Sequence, residues 1–270
     1  MIRHQLRPTA YILANTNHGS MIVNRFDYRE TEHGGYGVGY QLLNTQSFDA
    51  TEVAAVLELL TLRRRFFGDG VIALDLGANV GVHTIEWAKH MFGWGNVVSV
   101  EAQQRIYYAL AGNIAINNCF NATAVWAAIG SQSGEIQIPE PDYFTASSFG
   151  SLEIIKKENN EDIGKKLDWS PDKLSTVPMI AIDNFQLDRL DLVKLDIEGM
   201  EEDAINGAMN SINRHKPILM IEHIKSNKEK LLKKLIPIGY RVYGIGLNFL
   251  MVHEEDPSVT EISGQELTLN

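Results

Sequence analysis

The residues best suited to chemistry begin at Asp75. The apolar run Val71-Ile72-Ala73-Leu74 ends there in an acid, and Gly77-Ala78-Asn79-Val80-Gly81 follows. Glycine lets a chain turn sharply and lets a ligand rest on bare backbone, and a helix starting after the turn offers free N–H groups and a partial positive charge. Such a floor suits a nucleotide. A second acid, Glu101, closes the next apolar run, "VVSVEA". An acid at that place accepts hydrogen bonds from both ribose hydroxyls of an adenosine. Two alternatives fail on residue type. Asn79 stands where a G-x-G-x-x-G pattern needs its second glycine, and no Gly-Lys-Ser or Gly-Lys-Thr marks a phosphate loop.

What is left is an adenosine site with no pyrophosphate requirement, which fits S-adenosyl-L-methionine. Asp75 either caps the following helix or binds the methionine amino group, and the cofactor role is preferred. Gly77, Ala78 and Gly81 form the turn itself, and Ala102 follows Glu101 at the strand end. Asn79 and Thr84 suit the methionine carboxylate, while His83 faces cofactor or solvent. Ala127 and Ala128 leave room for adenine.

"VKLDIEGMEED" is the second informative block. Val193 and Leu195 face one side of a strand, Lys194 and Asp196 the other, so Asp196 emerges at the carboxyl end. Glu198 follows, while Glu201, Glu202 and Asp203 are explained by the dipole of the next helix. "LMIEH" puts Glu222 and His223 at the mouth of another strand. Methyl transfer to a hydroxyl removes a proton, and imidazole titrates nearest the working pH. His223 is therefore expected as the base, with Asp196 orienting the acceptor or steering the sulfonium. Asp196, Glu198, Glu222 and His223 match no closed zinc spacing, and no metal is expected.

Alternating elements must position these groups. Residues 1–48 hold strand-like pieces (Ala10 to Ala14, Ser20 to Asn24) and the glycine-rich "HGGYGVGYQL". Val53, Val56, Leu57, Leu60 and Arg64 predict a helix from Thr51 to Phe67, with Asp49 or Thr51 as N-cap. Strands follow at 71–75, "NVVSVEA", "ATAVWAAIG", "LDLVKLDIEG" and "KPILMIEH", with helices at 80–92, 105–117, 201–213 and 228–235; "GEIQIP" reads as a hairpin arm. Strands alternating with helices give a parallel sheet covered on both faces. "YRVYGIG" and "NFLMVHE" are too close for a crossover and should form an antiparallel hairpin. Residues 139–178 are polar and aperiodic, an insertion. Three regions are expected: a 1–50 appendage that can act as a lid, a 51–256 domain interrupted by the insertion, and a 257–270 tail. Tyr36, Tyr40 or Phe149 should wall the acceptor.

The bulk numbers narrow the partners. A 270-residue chain that is 44% hydrophobic builds one large core. A net charge of −10, with no basic run longer than Arg63-Arg64-Arg65, argues against a nucleic-acid substrate. The lone Cys119 suits a reducing compartment, and neither a secretory signal nor a membrane-length apolar run is visible. A cytoplasmic protein without membrane association is expected.

"ALDLGANVGVHT", "SVEAQQRIYYALAGNIAINN", "AAIGSQSGEI", "AIDNFQLDRLDLVKLDIEGMEEDAINGA" and "ILMIEH" together resemble the FkbM family of S-adenosylmethionine-dependent methyltransferases, from about residue 70 to about 253. The resemblance implies the α/β class I methyltransferase fold, a Rossmann-like, mostly parallel seven-strand sheet with an antiparallel last strand. It also implies O-methylation of a sugar or small secondary metabolite, so the partner is a small-molecule or glycan acceptor. The rival readings are a non-catalytic cofactor-binding domain that serves a partner, and an N-methyltransferase of a small molecule.

Overall fold

The computed structural model describes residues 8–32 and 34–267. A hairpin of β1 (Tyr11–Thr16) and β2 (Gly19–Asn24) comes first, then the short pair β3 (Arg29–Thr31) and β4 (Gly34–Tyr36). Two helices follow, α1 (Val38–Thr45) and α2 (Ala50–Phe67). The alternating unit is β5 (Val71–Leu76), α3 (Val82–His90), β6 (Gly95–Glu101), α4 (Gln104–Ile116) and β7 (Ala122–Trp126). After β8 (Ala128–Ile129), β9 (Gly134–Pro139) and β10 (Leu174–Ile180) it resumes with β11 (Leu192–Leu195), α5 (Glu201–Asn206), α6 (Met209–His215), β12 (Ile218–Glu222) and α7 (Lys228–Leu235). The chain closes with β13 (Tyr240–Ile245), β14 (Asn248–His253) and β15 (Glu266–Leu267).

The main sheet has the order β15-β13-β14-β12-β11-β5-β6-β7. From β12 to β7 its strands pair in parallel, and β14 runs antiparallel between β12 and β13. This is the expected parallel sheet with its antiparallel hairpin, and the tail adds β15 as an eighth edge strand on β13. One face is covered by a core that includes Val56, Leu60, Ile85 and Trp87, the other by one that includes Ala204, Ile205, Ile212, Leu231 and Leu235. Met21 and Val23 of β2 join the first core. Asn113 of α4 fastens β2 there, accepting from Ile22 N at 2.5 Å and donating to its carbonyl at 3.2 Å.

Several local expectations are corrected. On α2 the inward residue is Arg63 and not Arg64, because two buried carboxylates claim the Arg63 guanidinium. Asp49 occupies the N-cap position in a left-handed conformation and caps nothing with its side chain. The expected 201–213 helix breaks at Gly207, where any side chain would strike the Gly130 carbonyl. The expected strand "ATAVWAAIG" is interrupted after Trp126, and Ala128 opens a separate small sheet of order β8-β10-β9. "GEIQIP" pairs antiparallel with β10, a strand across the insertion that the polar sequence around it concealed.

Candidate functional site

Asp75, Glu101, Asp196 and Glu222 all lie at carboxyl ends of neighbouring parallel strands, because each closes an apolar run that the sheet buries. They line one cavity of about 320 Å³, together with Gly77 to His83, Ala102, Gln103, Ala127, Ala128 and Lys194. The wall is completed by residues from two other regions, Tyr36 to Val38, Gln41 and Phe48 on one side and Ser148, Gly150 to Leu152 and Ile154 on the other.

The turn after β5 is glycine for reasons of packing. Gly77 has φ +83, and a Cβ there would overlap the Asp196 carbonyl oxygen. Gly81 has φ +89, and its Cβ would strike Leu110. The glycines therefore let β5, β11 and α4 approach one another, and that approach brings Asp196 beside the turn. Asn79, at φ 50, accepts Val80 N–H on its own Oδ1 at 2.7 Å.

Glu101 is buried, and its two oxygens each accept a backbone N–H, from Asn79 at 3.0 Å and from Gln103 at 2.7 Å. Burial raises its pKa to about 7 despite these bonds. An ionised carboxylate offers about four lone-pair sites, so Glu101 has acceptor capacity left for a ribose hydroxyl beyond these backbone donors. Gln103 is held from behind, its amide donating to Phe149 O at 2.9 Å and accepting from Tyr143 Oη at 3.2 Å.

Lys194 is the cation at the floor of the cavity. It is buried beside Asp75 in the β5–β11 register and donates to Asp196 Oδ2 at 2.8 Å, with Glu52 Oε1 at 3.8 Å. Burial would lower its pKa, but Asp196, Glu52 and Asp75 outweigh burial and hold it raised. Glu52 accepts from Asn248 Nδ2 at 2.8 Å and lies 3.2 Å from His83 Nε2, at ion-pair distance without hydrogen-bond alignment. Glu52 and Lys194 escaped the sequence reading. The available signal was a lone lysine inside "LVKL", since a charge in a buried strand requires carboxylate partners.

Among the residues expected from sequence, Asp75, Gly77, Ala78, Asn79, Gly81, Glu101, Ala102, Ala128 and Asp196 share the cavity wall. Thr84 does not: it is fully buried behind Asp75 and donates to Asp75 Oδ2 at 2.6 Å, so it orients that acid. His223 does not either. Its ring packs on Phe249 with 4.2 Å between centroids, and its neighbour Glu222 takes the wall position. Tyr40 and Phe149 are also absent from the wall; Phe149 is buried against Tyr143 while Tyr36 lines the cavity.

Asp196, Glu198 and Glu222 bring one oxygen each within 4.8 Å of the others, close enough to gather a cation. Lys194 already neutralises Asp196, and Lys225 ion-pairs with Glu198, so no ligand set is assigned to them. Burial, and then the Asp196 charge, raise the Glu198 pKa to about 8 in spite of Lys225.

The two covering regions are joined through Asp27. This buried carboxyl accepts Gly39 N–H at 3.0 Å on one oxygen and Phe149 N–H at 2.9 Å on the other. A backbone bond from Ser147 N to Phe26 O and the Arg29–Glu161 contact extend the seam. Burial raises the Asp27 pKa to about 6, against the two N–H donors that lower it.

A family model described as the methyltransferase FkbM domain matches residues 75–242. Among solved structures, the methyltransferase FkbM from Methylobacillus flagellatus is 17% identical with a TM-score of 0.47, over 68% of this chain and 43% of that one. The precorrin-6y C5,15-methyltransferase from Geobacter metallireducens is 15% identical with a TM-score of 0.41, over 74% and 84%. The magnesium protoporphyrin IX methyltransferase from Synechocystis, solved with S-adenosylmethionine bound, is 12% identical with a TM-score of 0.42, over 82% and 85%. The chain thus spans less than half the length of the first of these. No curated protein matches it. No helix among the described residues is long and apolar enough to cross a membrane.

Proposed function

The chain belongs to the FkbM methyltransferase domain family, and from that premise we propose that it moves the methyl group of S-adenosyl-L-methionine to a hydroxyl of a small acceptor, a sugar or secondary metabolite. One observation carries the reading: Glu101, the turn after β5, Asp196 and Glu222 line a single cavity from four adjacent strand ends. Strands lie roughly 4.8 Å apart, so the row is about 14 Å long. That leaves room for an adenosine at the Glu101 end and an acceptor at the Glu222 end, with the reacting atoms between them.

S-adenosyl-L-methionine, when bound, supplies a methyl group already activated on a sulfonium. The protein's work is alignment and the exclusion of water. In this reading Glu101 holds the ribose, and Ala102 and Ala128 flank the base. Asp75, oriented by Thr84, and the 77–81 backbone hold the methionine end. Asp196, fixed by Lys194, borders the transfer site, and Tyr36, Val38, Phe48, Leu152 and Ile154 wall the acceptor. The negative net charge of the chain supports a small acceptor over a nucleic acid.

S-adenosylhomocysteine binding, read by calorimetry, tests this. Glu101→Ala should weaken it by about 1.5–3 kcal/mol, the scale for hydrogen bonds to a charged group. The pH dependence has a definite sign. The ionised carboxylate is the form that accepts two hydroxyls, and the empty site protonates near pH 7. Affinity should be flat above that value and fall below it, approaching about tenfold per unit. Normal affinity in Glu101→Ala would remove the ribose assignment. Tritium transfer from labelled donor into a saccharide and metabolite panel then identifies the acceptor.

A further inference from the structure

Resting on the methyltransferase reading above, we propose that Glu222, and not its neighbour His223, takes the proton from the acceptor hydroxyl, and that the positive charge of the methyl donor readies it. A base needs a lone pair open to the cavity and no resident donor occupying it. Three carboxyls cluster at this end of the cavity, and two are taken: Asp196 by Lys194 at 2.8 Å, and Glu198 by Lys225. Glu222 lines the cavity, and its carboxyl has neither a hydrogen bond nor an ion pair among the described residues. Its register partner on β14 is Asn248, whose amide is directed at Glu52. His223 fails the same requirement, because its Nδ1 is buried without a partner and its ring lies against Phe249 outside the wall.

The surroundings explain how a carboxyl can serve at neutral pH. Facing Glu222 are Lys194 from β11, Asp196 and Glu198 from the turn that follows it, and Glu201 from the first turn of α5. Burial first, then Asp196 and Glu198, push its pKa to about 9 against the opposing Lys194. In the empty cavity Glu222 is therefore an acid. A sulfonium on the far side of an acceptor oxygen would stand roughly 7 Å away, and at that distance it lowers a carboxyl by about one to two pKa units. Donor binding then releases the Glu222 proton, and the freed carboxylate accepts the next one from the acceptor. In the transfer the acceptor oxygen forms the new O–CH3 bond as its O–H pair is released. The S–CH3 bond breaks with its electrons left on sulfur, which becomes neutral, and the proton passes to Glu222 and on to water.

The probes are S-adenosylmethionine and S-adenosylhomocysteine, which share the ribose and differ by the sulfonium charge. Calorimetry at pH 8, in EDTA-treated buffers of different ionisation enthalpy, gives the protons released by each. S-adenosylmethionine should release roughly half a proton or more beyond S-adenosylhomocysteine. Glu222→Gln should abolish the difference, and His223→Asn should keep it. In the unaltered protein the difference should also vanish below about pH 6, where Glu222 stays protonated in both complexes, so the test stands even if a variant misfolds. Equal release by the two compounds, or a difference lost in His223→Asn and kept in Glu222→Gln, overturns the proposal alone. If neither compound binds, the methyltransferase reading fails and the proposal with it.

Discussion

Arg63→Ala should lower the unfolding free energy by about 3–5 kcal/mol, the cost of stranding buried charge. Arg63 leaves the inner face of α2 and is almost wholly buried, with Nε 3.1 Å from Asp191 Oδ1 and one terminal nitrogen on Asp256. Asp191 keeps Arg189 and the Ile72 N–H after the change, so the stranded charge is chiefly Asp256. The guanidinium also lies over the Phe67 ring at 4.0 Å, and that packing goes too. Adding Asp256→Asn should return part of the loss, because the charge costs more than the missing bond. Urea unfolding of the two variants decides the matter. Asp191 immediately precedes β11, at the opposite end of that strand from Asp196. S-adenosylhomocysteine affinity measured well below the melting temperature should therefore stay unchanged in Arg63→Ala. A fall of less than 1 kcal/mol would mean that water reaches the pocket and screens the acids.

Lys194→Met should cost about 2–4 kcal/mol, less than a fully buried pair because Asp196 is one-third exposed. Its pH dependence is diagnostic. Burial raises the Glu52 pKa, but His83 and Lys194 together bring it below the ordinary value. A carboxyl depressed in the folded state stabilises above its unfolded pKa, about 4.3, and loses that contribution as pH falls through the folded value. Removing Lys194 takes away part of this contribution. The gap between native protein and variant should thus be widest at neutral pH and narrow below about pH 4.5. Denaturant melts at pH 7.5 and pH 4 measure it. A gap that is constant with pH would point to lost packing of the lysine stem instead.

The backbone plan was legible because each buried strand announces itself by an apolar run and each run here ends in an acid that lines the cavity. Val71 to Asp75, Val97 to Glu101, Val193 to Asp196 and Ile218 to Glu222 all obey that rule. What escaped is what depends on the third dimension. Alternation gave Lys194 the same face as Asp196, yet nothing local tells that Glu52, from a helix far upstream, completes its surroundings. His223 and Glu222 are adjacent, and the strand's last pleat turns the glutamate into the cavity and leaves the histidine on Phe249. Thr84 sits at the expected spacing but is fully buried, so it serves Asp75. β10 was hidden because its flanks are polar and its partner β9 lies across a long excursion. Helical period erred by one residue at Arg63, since long basic side chains satisfy either reading of a stripe.

Asp27 gives the mouth of the cavity a property that neither wall has alone. Gly39 and Phe149 belong to stretches more than a hundred residues apart, yet their amides converge on the two oxygens of one interior acid. Withdrawing one amide leaves that acid short of a donor in a place water does not reach, and the second then has less to hold it. Any opening of the two stretches should therefore be cooperative. Hydrogen exchange at these two amides checks this, and the expected result is a shared opening free energy.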